Sequence, residues 1–183
     1  MAEIIDLANS VIERSARRYR KTLRSHLGRG GLVIQERAQD TDAESAQIVD
    51  RMEQRRKTAR WSDMAALYRV RSDAQSLKSR LDHRGIPYQS SGETEPHRDH
   101  VTIMTLHRSK GLEFPIVFLP AVEENTLPHF HAIRGGTGGI EEERRLLYVG
   151  ITRARKELVL SSSAHRRGRP RSVSRFLTEL EIQ

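Results

Sequence analysis

A basic loop between two apolar runs carries side chains suited to binding phosphate. It follows Val101–Leu106, precedes Pro115–Val122, and contains four donors in succession: His107, Arg108, Ser109 and Lys110. These residue types are common donors to phosphate oxygens, and Gly111 permits close approach of the backbone. Glu113 is the only acid in the loop. The alternative is an ordinary basic loop in which Glu113 forms a local salt bridge.

A second candidate segment, Glu141–Arg155, is acidic at its start, apolar in its middle and basic at its end. Helical spacing would pack the apolar residues together and leave four arginines outside: Arg144, Arg145, Arg153 and Arg155. An arginine at a helix end offers a planar, permanently charged group for a phosphate. Ion pairing along the helix is the favoured alternative for Arg144 and Arg145. We do not extend that alternative to Arg153.

Three further patterns are less specific. Tyr68-Arg69 closes an apolar run, and its ring could stack on a purine while the guanidinium reaches a phosphate, although such dipeptides are usually structural. His129 and His131 have His-x-His spacing, but without cysteine or an acidic cluster they predict no metal site. The run Arg166–Arg171 is interpreted as a solvated basic linker rather than a nucleic-acid patch.

The hydrophobic pattern predicts the elements that must position these residues. An amphipathic helix is expected from Ile4 through Tyr19 and Leu23, ending at Gly28 to Gly31. Capping boxes at Thr41–Glu44 and Ser72–Gln75 predict helices that end near Lys57 and Gly85. Further helices are expected over residues 141–152 and 173–180, and strands over 31–36, 61–69, 101–106, 115–122 and 157–161. Loops are expected at 135–139 and 165–171.

Alternating helices and short apolar strands indicate an α/β fold, with a mostly parallel sheet covered by helices on both faces. Parallel sheets present ligand-binding loops at the carboxyl ends of their strands, so the loop His107–Glu113 is expected to emerge there.

Composition restricts the class of protein. The chain has 183 residues, no cysteine, a net charge of +8 and a pI near 10.4. One domain is expected, without disulfides, thiolate nucleophiles or a typical structural zinc site. No apolar run is long enough to span a bilayer and no secretory signal is present, so a cytoplasmic protein without membrane contact is predicted. The positive charge favours a phosphate-rich partner as much as it favours a merely solvated basic surface.

Two strings, VTIMTLHRSKGLEFPIVFLPAV at Val101–Val122 and EEERRLLYVGITRA at Glu141–Ala154, resemble motifs V and VI of the UvrD/Rep/PcrA family of superfamily 1 DNA helicases. Leu67-Tyr68-Arg69 resembles motif IV. The resemblance implies a RecA-like domain, related to the phosphate-loop NTPases, over residues 1–183.

The resemblance also implies functional roles for individual residues. Arg153 and Arg69 are expected to contact the γ-phosphate of ATP and are the catalytic candidates. Tyr68 is expected to stack on the adenine, and Glu113 to bind the ribose. Single-stranded DNA is expected to contact the loop at His107, Arg108, Ser109 and Lys110.

The sequence departs from the family in two places. The phosphate loop G-x-x-x-x-G-K-[ST] does not occur in it, so residues 1–183 match only the second of two RecA-like halves. The N-terminal half is therefore expected to hold Mg²⁺ and to make most of the contacts to ATP. A short polar connector at residues 89–100 replaces the large insertion subdomain of UvrD, Rep and PcrA, which fits either a branch without that insertion or an engineered join.

The prediction is therefore the C-terminal motor domain of an ATP-dependent DNA helicase that translocates 3′ to 5′, as the family does. Its expected partners are single-stranded DNA and an N-terminal RecA-like domain, and alone it should hydrolyse no ATP. A start at Met1, beyond the missing motif, is expected for a truncated or split gene. The alternative is a standalone nucleic-acid-binding or regulatory module that keeps the helicase surface without catalysis.

Overall fold

A central sheet organises the domain. The computed structural model describes residues 1–15, 23–25, 28–90 and 99–180. Its strands are β1 (Leu32–Asp40), β2 (Met64–Tyr68), β3 (Tyr88–Ser90), β4 (Val101–Thr105), β5 (Phe114–Leu119), β6 (Ala154–Arg166) and β7 (Arg169–Pro170). The order is β1-β6-β5-β2-β4-β3, with all these pairings parallel, and β7 pairs antiparallel with β6.

Helices cover the sheet. They are α1 (Ala2–Glu13), α2 (Thr41–Arg56), α3 (Gln75–His83), α4 (Phe130–Arg134), α5 (Thr137–Ile151) and α6 (Arg175–Thr178). Short 3-10 segments occupy Trp61–Asp63, Arg71–Ala74 and Leu106–Ser109. Among the described residues, no helix is both long and apolar enough to cross a membrane.

The central strand β2 shows why both faces of the sheet need a helical cover. Ala65 and Leu67 belong to a hydrophobic cluster with residues of α1, α5 and α6. Met64, Ala66 and Tyr68 point the other way, into a cluster with residues of α2 and α3. All five residues of β2 are buried, as expected for a strand between two helical layers. The predicted α/β class and mostly parallel sheet are confirmed.

The first helix is shorter than predicted. It buries Ile4, Ala8 and Val11 at helical spacing but ends at Glu13, and Leu23 is not helical, while Tyr19 lies outside the described residues. The backbone of Leu23 instead bonds the side-chain amide of Asn9, at 3.0 and 3.1 Å. A side chain within the helix therefore holds the segment that the periodicity assigned to the helix itself.

Both predicted capping boxes are wrong. Helix α2 is capped by Asp40, whose carboxylate accepts the amide hydrogens of Asp42 and Ala43 at 3.0 and 2.8 Å. Glu44 turns inward and is only 2% exposed. In the second case a 3-10 turn precedes α3, which has no side-chain cap.

Several predicted boundaries also differ from the structure. Strand β6 has 13 residues and includes the first two residues of the supposed basic linker, His165 and Arg166, after which the chain turns back as β7. Helix α5 begins at Thr137, inside the predicted glycine loop, and α4 was not predicted. Gln89 and Ser90 belong to β3, so the connector begins later than residue 89, and residues 91–98 lie outside the described ranges.

The strand directions define two edges of the sheet. We call the edge where the parallel strands end the carboxyl edge, and the opposite one the amino edge. β4 and β5 flank β2 on its two sides and run parallel to it. Residues 106–113 must therefore pass from the carboxyl edge to the amino edge, which they do beside α5, with Leu106 packed into the α1–α5 cluster.

Candidate functional site

Tyr68 and Arg69 lie at the carboxyl edge, at the end of β2. Tyr68 is 2% exposed, and its ring packs among residues of α2 and α3. Burial raises the pKa of its phenol well above the usual value, and the Glu44 charge acts in the same direction. A small cavity of about 100 Å³ adjoins it, lined in part by Arg71, Lys78 and Thr105. As the chain is folded here, Tyr68 has no free ring face for an adenine.

The guanidinium of Arg69 is engaged within the domain. It donates three hydrogen bonds of 2.8 to 3.1 Å to the carboxylate of Glu143 in α5, which is 5% exposed. The same carboxylate accepts the backbone N–H of His129 at 3.1 Å. Arg69 thus links β2 to α5 and to the start of α4, and in this position its side chain stabilises the fold.

The loop His107–Lys110 lies at the carboxyl edge, as predicted. His107 and Lys110 face α5 across an open groove of about 310 Å³ that Glu142 and Arg145 also line. Arg108 is exposed. Ser109 is completely buried, and its hydroxyl donates to the carbonyl of Leu106 at 2.7 Å. Contact between DNA and Ser109 stays a prediction that would require this loop to open.

Two histidines at this edge have lowered pKa values. Burial lowers the pKa of both His107 and His129 below 6.5, the positive charge of Arg69 lowers them further, and Glu143 opposes these effects. Both rings are therefore held neutral near neutral pH in the free domain. A nearby phosphate would favour the protonated forms.

Glu113 and Arg153 lie together at the amino edge, where β5 and β6 begin. The guanidinium of Arg153 donates to the carbonyls of Val149 and Leu112, at 3.0 and 2.9 Å, and to the hydroxyl of Thr152 at 3.0 Å. The backbone N–H of Phe114 donates to the Arg153 carbonyl at 2.9 Å. These bonds place Arg153 next to Glu113.

The Glu113 carboxylate is available to a ligand at this edge. Its side chain is 59% exposed and lies 3.8 Å from Arg155, which is 53% exposed. A solvent-facing ion pair of this kind stabilises the fold little. Both side chains can therefore reorient toward a ligand.

The two edges are too far apart for one nucleotide to contact all four predicted residues. The β2–β5 register places Ile116 beside Met64, so Tyr68 lies four residues further along and Phe114 two residues back. At about 3.3 Å per residue, the two positions are separated by roughly 20 Å along the strands. The structure brings Arg153 and Glu113 together but separates them from Tyr68 and Arg69. In this conformation the four residues are divided between the two edges, and the prediction that all four contact one ATP has no support from it.

A basic groove lies at the carboxyl edge and was not predicted from the sequence. It is an open space of about 600 Å³ whose lining includes four arginines: Arg134, Arg167, Arg169 and Arg171. Phe130, 38% exposed, also lines it, and its ring packs against His129 and His131 at centroid distances of 4.5 and 3.9 Å. Exposed aromatic rings beside arginines are typical of surfaces that bind single-stranded nucleic acid. The signals in the sequence were the basic run, which was interpreted as a solvated linker, and the His-x-His pattern, which predicted no metal site.

The residues that the structure describes do not form a magnesium site. Over residues 1–15, 23–25, 28–90 and 99–180, no three His, Cys, Asp or Glu side chains converge as metal ligands.

Known helicases are similar to parts of this chain. The family model of the UvrD-like helicase C-terminal domain matches residues 1–96 and 90–165. The ATP-dependent DNA helicase Rep of Salmonella typhimurium is 53% identical over 93 residues, covering 49% of this chain and 14% of Rep. The ATP-dependent DNA helicase PcrA of Bacillus subtilis is 47% identical over 87 residues, covering 45% of this chain and 12% of PcrA. The chain thus spans a small part of the length of these relatives.

A solved structure shares the fold. The C-terminal domain of a possible DNA helicase from Lactobacillus plantarum WCFS1 matches with a TM-score of 0.68 at 20% identity, covering 98% of this chain and 91% of that one. The fold expected from the resemblance is confirmed. Because the family match extends over more than half of the sequence, this chain belongs to the UvrD-like helicase C-terminal domain family.

Proposed function

We propose that this chain is the second RecA-like half of an ATP-dependent DNA helicase, with nucleotide at the amino edge and single-stranded DNA at the carboxyl edge. The observation that carries the proposal is the separation of two kinds of site. Arg153 and Glu113 lie together at one edge, and the basic groove with His107 lies at the other. Relatives that match this chain are named ATP-dependent DNA helicases, which supports the assignment.

At the amino edge, Arg153 supplies positive charge to the transferring phosphoryl group of an ATP bound mainly by the other half. Its guanidinium must first leave the carbonyls of Val149 and Leu112. Such an arginine stabilises charge that develops in the transition state, so it acts on kcat more than on binding. Glu113 is proposed to bind the ribose hydroxyls through its exposed carboxylate. Tyr68 and Arg69 are proposed to be structural instead.

The nucleotide assignment is tested by joining this chain to a phosphate-loop half and measuring ATP hydrolysis with saturating single-stranded DNA. Arg153→Ala should lower kcat by about 10³-fold or more while changing KM little. Arg155→Ala, which removes a neighbouring exposed charge, is the matched control and should keep most of the activity. If Arg153→Ala raises only KM, the role in the transition state is wrong. The 183-residue chain alone should show no turnover above background.

At the carboxyl edge, the basic groove and His107 are proposed to contact the DNA backbone without regard to base sequence. Fluorescence anisotropy with a labelled oligothymidine at several salt concentrations tests this. Affinity should fall steeply with salt, and Arg169→Gln should weaken binding and reduce the logarithmic salt slope by about 0.7. Arg84→Gln, a matched change directly after α3 and outside the groove, should leave both quantities unchanged. Equal losses in the two variants would mean that only the overall charge attracts DNA.

A further inference from the structure

A buried ion network joins three distant parts of the chain beneath the basic groove. Arg166, Glu44 and Glu123 are 3%, 2% and 0% exposed. The Arg166 guanidinium donates through Nη2 to Glu44 and through Nε to Glu123. One planar group is thus held at two points by carboxylates from α2 and from the segment after β5.

The second oxygen of each carboxylate accepts hydrogen bonds from residues of β6 and of the segment after β5. Glu44 accepts the Ala121 backbone N–H at 2.9 Å and the Ser161 hydroxyl at 2.7 Å. Glu123 accepts the Ser163 backbone N–H at 2.9 Å and its hydroxyl at 3.0 Å. The network is therefore built into the ends of the central strands and leaves Arg166 little freedom.

The charge of the network is completed by a residue of the groove. Two buried carboxylates face one buried guanidinium, and the second cation is Arg171, whose Nε lies 3.7 Å from Glu123. Arg171 is 19% exposed and also lines the basic groove. One side of Arg171 therefore belongs to the core and the other to the groove.

Arg166 is also the last residue before the hairpin turn, and the residues that follow it carry three of the four groove arginines. The hairpin turns through Arg167 and Gly168, both with positive φ (52° and 71°), and pairs Arg166 with Arg169. Two positive φ values in a two-residue turn fit the tight hairpin connections that match strand twist. The Arg171 backbone N–H closes the hairpin by donating to Ala164 at 2.7 Å.

We propose that Arg166 is a positioning residue for nucleic-acid binding. The hydrogen bonds from its guanidinium to Glu44 and Glu123 fix the hairpin. Three arginines are therefore arranged along a phosphate backbone before it binds: Arg167, Arg169 and Arg171. Arg166 itself touches no ligand because it is buried. A hairpin held in place gives up less conformational entropy when it binds, and this strengthens binding without a new contact. The inference rests on the proposed DNA-binding function of the groove.

Two variants of the full chain test this role. The first replaces the three fully buried members of the network with neutral groups of similar size, Arg166→Met with Glu44→Gln and Glu123→Gln, so that only the part-exposed Arg171 keeps a charge. The second variant, Arg166→Lys, keeps the positive charge but lacks the planar guanidinium that donates to both carboxylates. It is measured if the first variant does not fold. The matched control neutralises another buried pair, Arg144→Met with Glu141→Gln in α5, whose side chains are 6% and 9% exposed, together with Glu179→Gln, because Glu179 also accepts from Arg144.

Two readouts separate positioning from a general loss of stability. Amide hydrogen exchange without DNA should show lost protection in residues 165–171 but not in β2. Anisotropy with oligothymidine should show at least a fivefold weaker affinity and a shallower salt slope. The control pair should change neither quantity, although its thermal stability falls.

The outcomes distinguish this inference from the proposed function. If hairpin amides stay protected and affinity is unchanged in a folded network variant, or if the control pair causes the same losses, the positioning role is overturned. If the unmodified chain binds no oligothymidine at low salt, the proposed DNA-binding function fails. The exchange measurement still decides whether the network holds the hairpin.

Discussion

Replacing Arg69 with alanine tests whether this residue is a structural anchor or a free phosphate ligand. In the structure its guanidinium makes three hydrogen bonds to Glu143, whose side chain is 5% exposed. Without Arg69, that carboxylate keeps a single hydrogen bond, from the His129 backbone N–H at 3.1 Å. The variant therefore leaves a buried negative charge largely uncompensated.

The expected loss of stability follows from this burial. Removing one partner of a buried ion pair costs about 3–5 kcal/mol, and because the Arg69 side chain is 22% exposed we expect the lower end, about 3 kcal/mol. For a chain of this size, each kcal/mol corresponds to about 2–4 °C in Tm, so the melting temperature should fall by roughly 6–12 °C. Arg155→Ala is the matched control, since it breaks an exposed pair worth at most about 1 kcal/mol.

Urea unfolding and thermal melts followed by circular dichroism measure both variants. Adding Glu143→Gln completes a double-mutant cycle, in which the loss on removing Arg69 should shrink because no charge remains to be compensated. If Arg69→Ala is no less stable than Arg155→Ala, the guanidinium is not an anchor. The phosphate-binding role predicted from the sequence would then regain support.

Three other predictions concern the carboxyl edge and the face beneath it. Because burial and Arg69 lower the pKa of His107 and His129, folding stability from these groups is complete above pH 6.5 and is lost as the pH falls from there toward their folded pKa values. DNA binding should take up protons, so affinity should rise from pH 8 to pH 6 while urea-unfolding stability declines; a flat affinity profile would exclude both imidazoles from the interface. Ser109→Ala should cost about 1 kcal/mol by urea unfolding, because its buried hydroxyl donates to the Leu106 carbonyl, and an unchanged DNA affinity would exclude Ser109 from the predicted DNA contacts. Gly150→Ala should cost about 1–3 kcal/mol, since a methyl group there would lie 2.5 Å from a Leu106 methyl carbon, and an unchanged denaturation midpoint would show that Leu106 has room to move.

Local pattern was sufficient for the elements that bury continuous apolar surface. The runs that became β4 and β5 and the apolar positions of α5 were recognisable because their burial is encoded within a few neighbouring residues. The position of His107 after β4 followed from the same pattern. The loop therefore emerged where a parallel sheet places it.

The polar interior was not recognisable in this way. Ser161 and Ser163 looked like the end of a strand, yet they continue it because buried carboxylates accept their hydroxyl groups. Arg166 looked like part of a solvated linker because its partner Glu44 is 122 residues away in the sequence. Burial of a charge depends on such distant partners, which no local window contains.

The distribution of candidate residues between the edges was also beyond the sequence. A family motif can identify Tyr68-Arg69 and Arg153 separately, but the side of the sheet on which each lies depends on strand direction. Arg69 follows the end of β2, whereas Arg153 precedes the start of β6. Only the three-dimensional order of parallel strands shows that these positions are on opposite edges.

The eight residues between β4 and β5 connect the two proposed binding regions directly. They include His107, which is proposed to contact DNA, near one end and Glu113 at the other, where the Leu112 carbonyl accepts a hydrogen bond from Arg153. Release of Arg153 toward a nucleotide would therefore free one end of a segment whose other end is proposed to contact DNA. By thermodynamic linkage, any factor by which nucleotide changes the affinity for DNA must equal the factor by which DNA changes the affinity for nucleotide. This short crossing is thus a physical route through which binding energy at one edge can alter occupancy at the other.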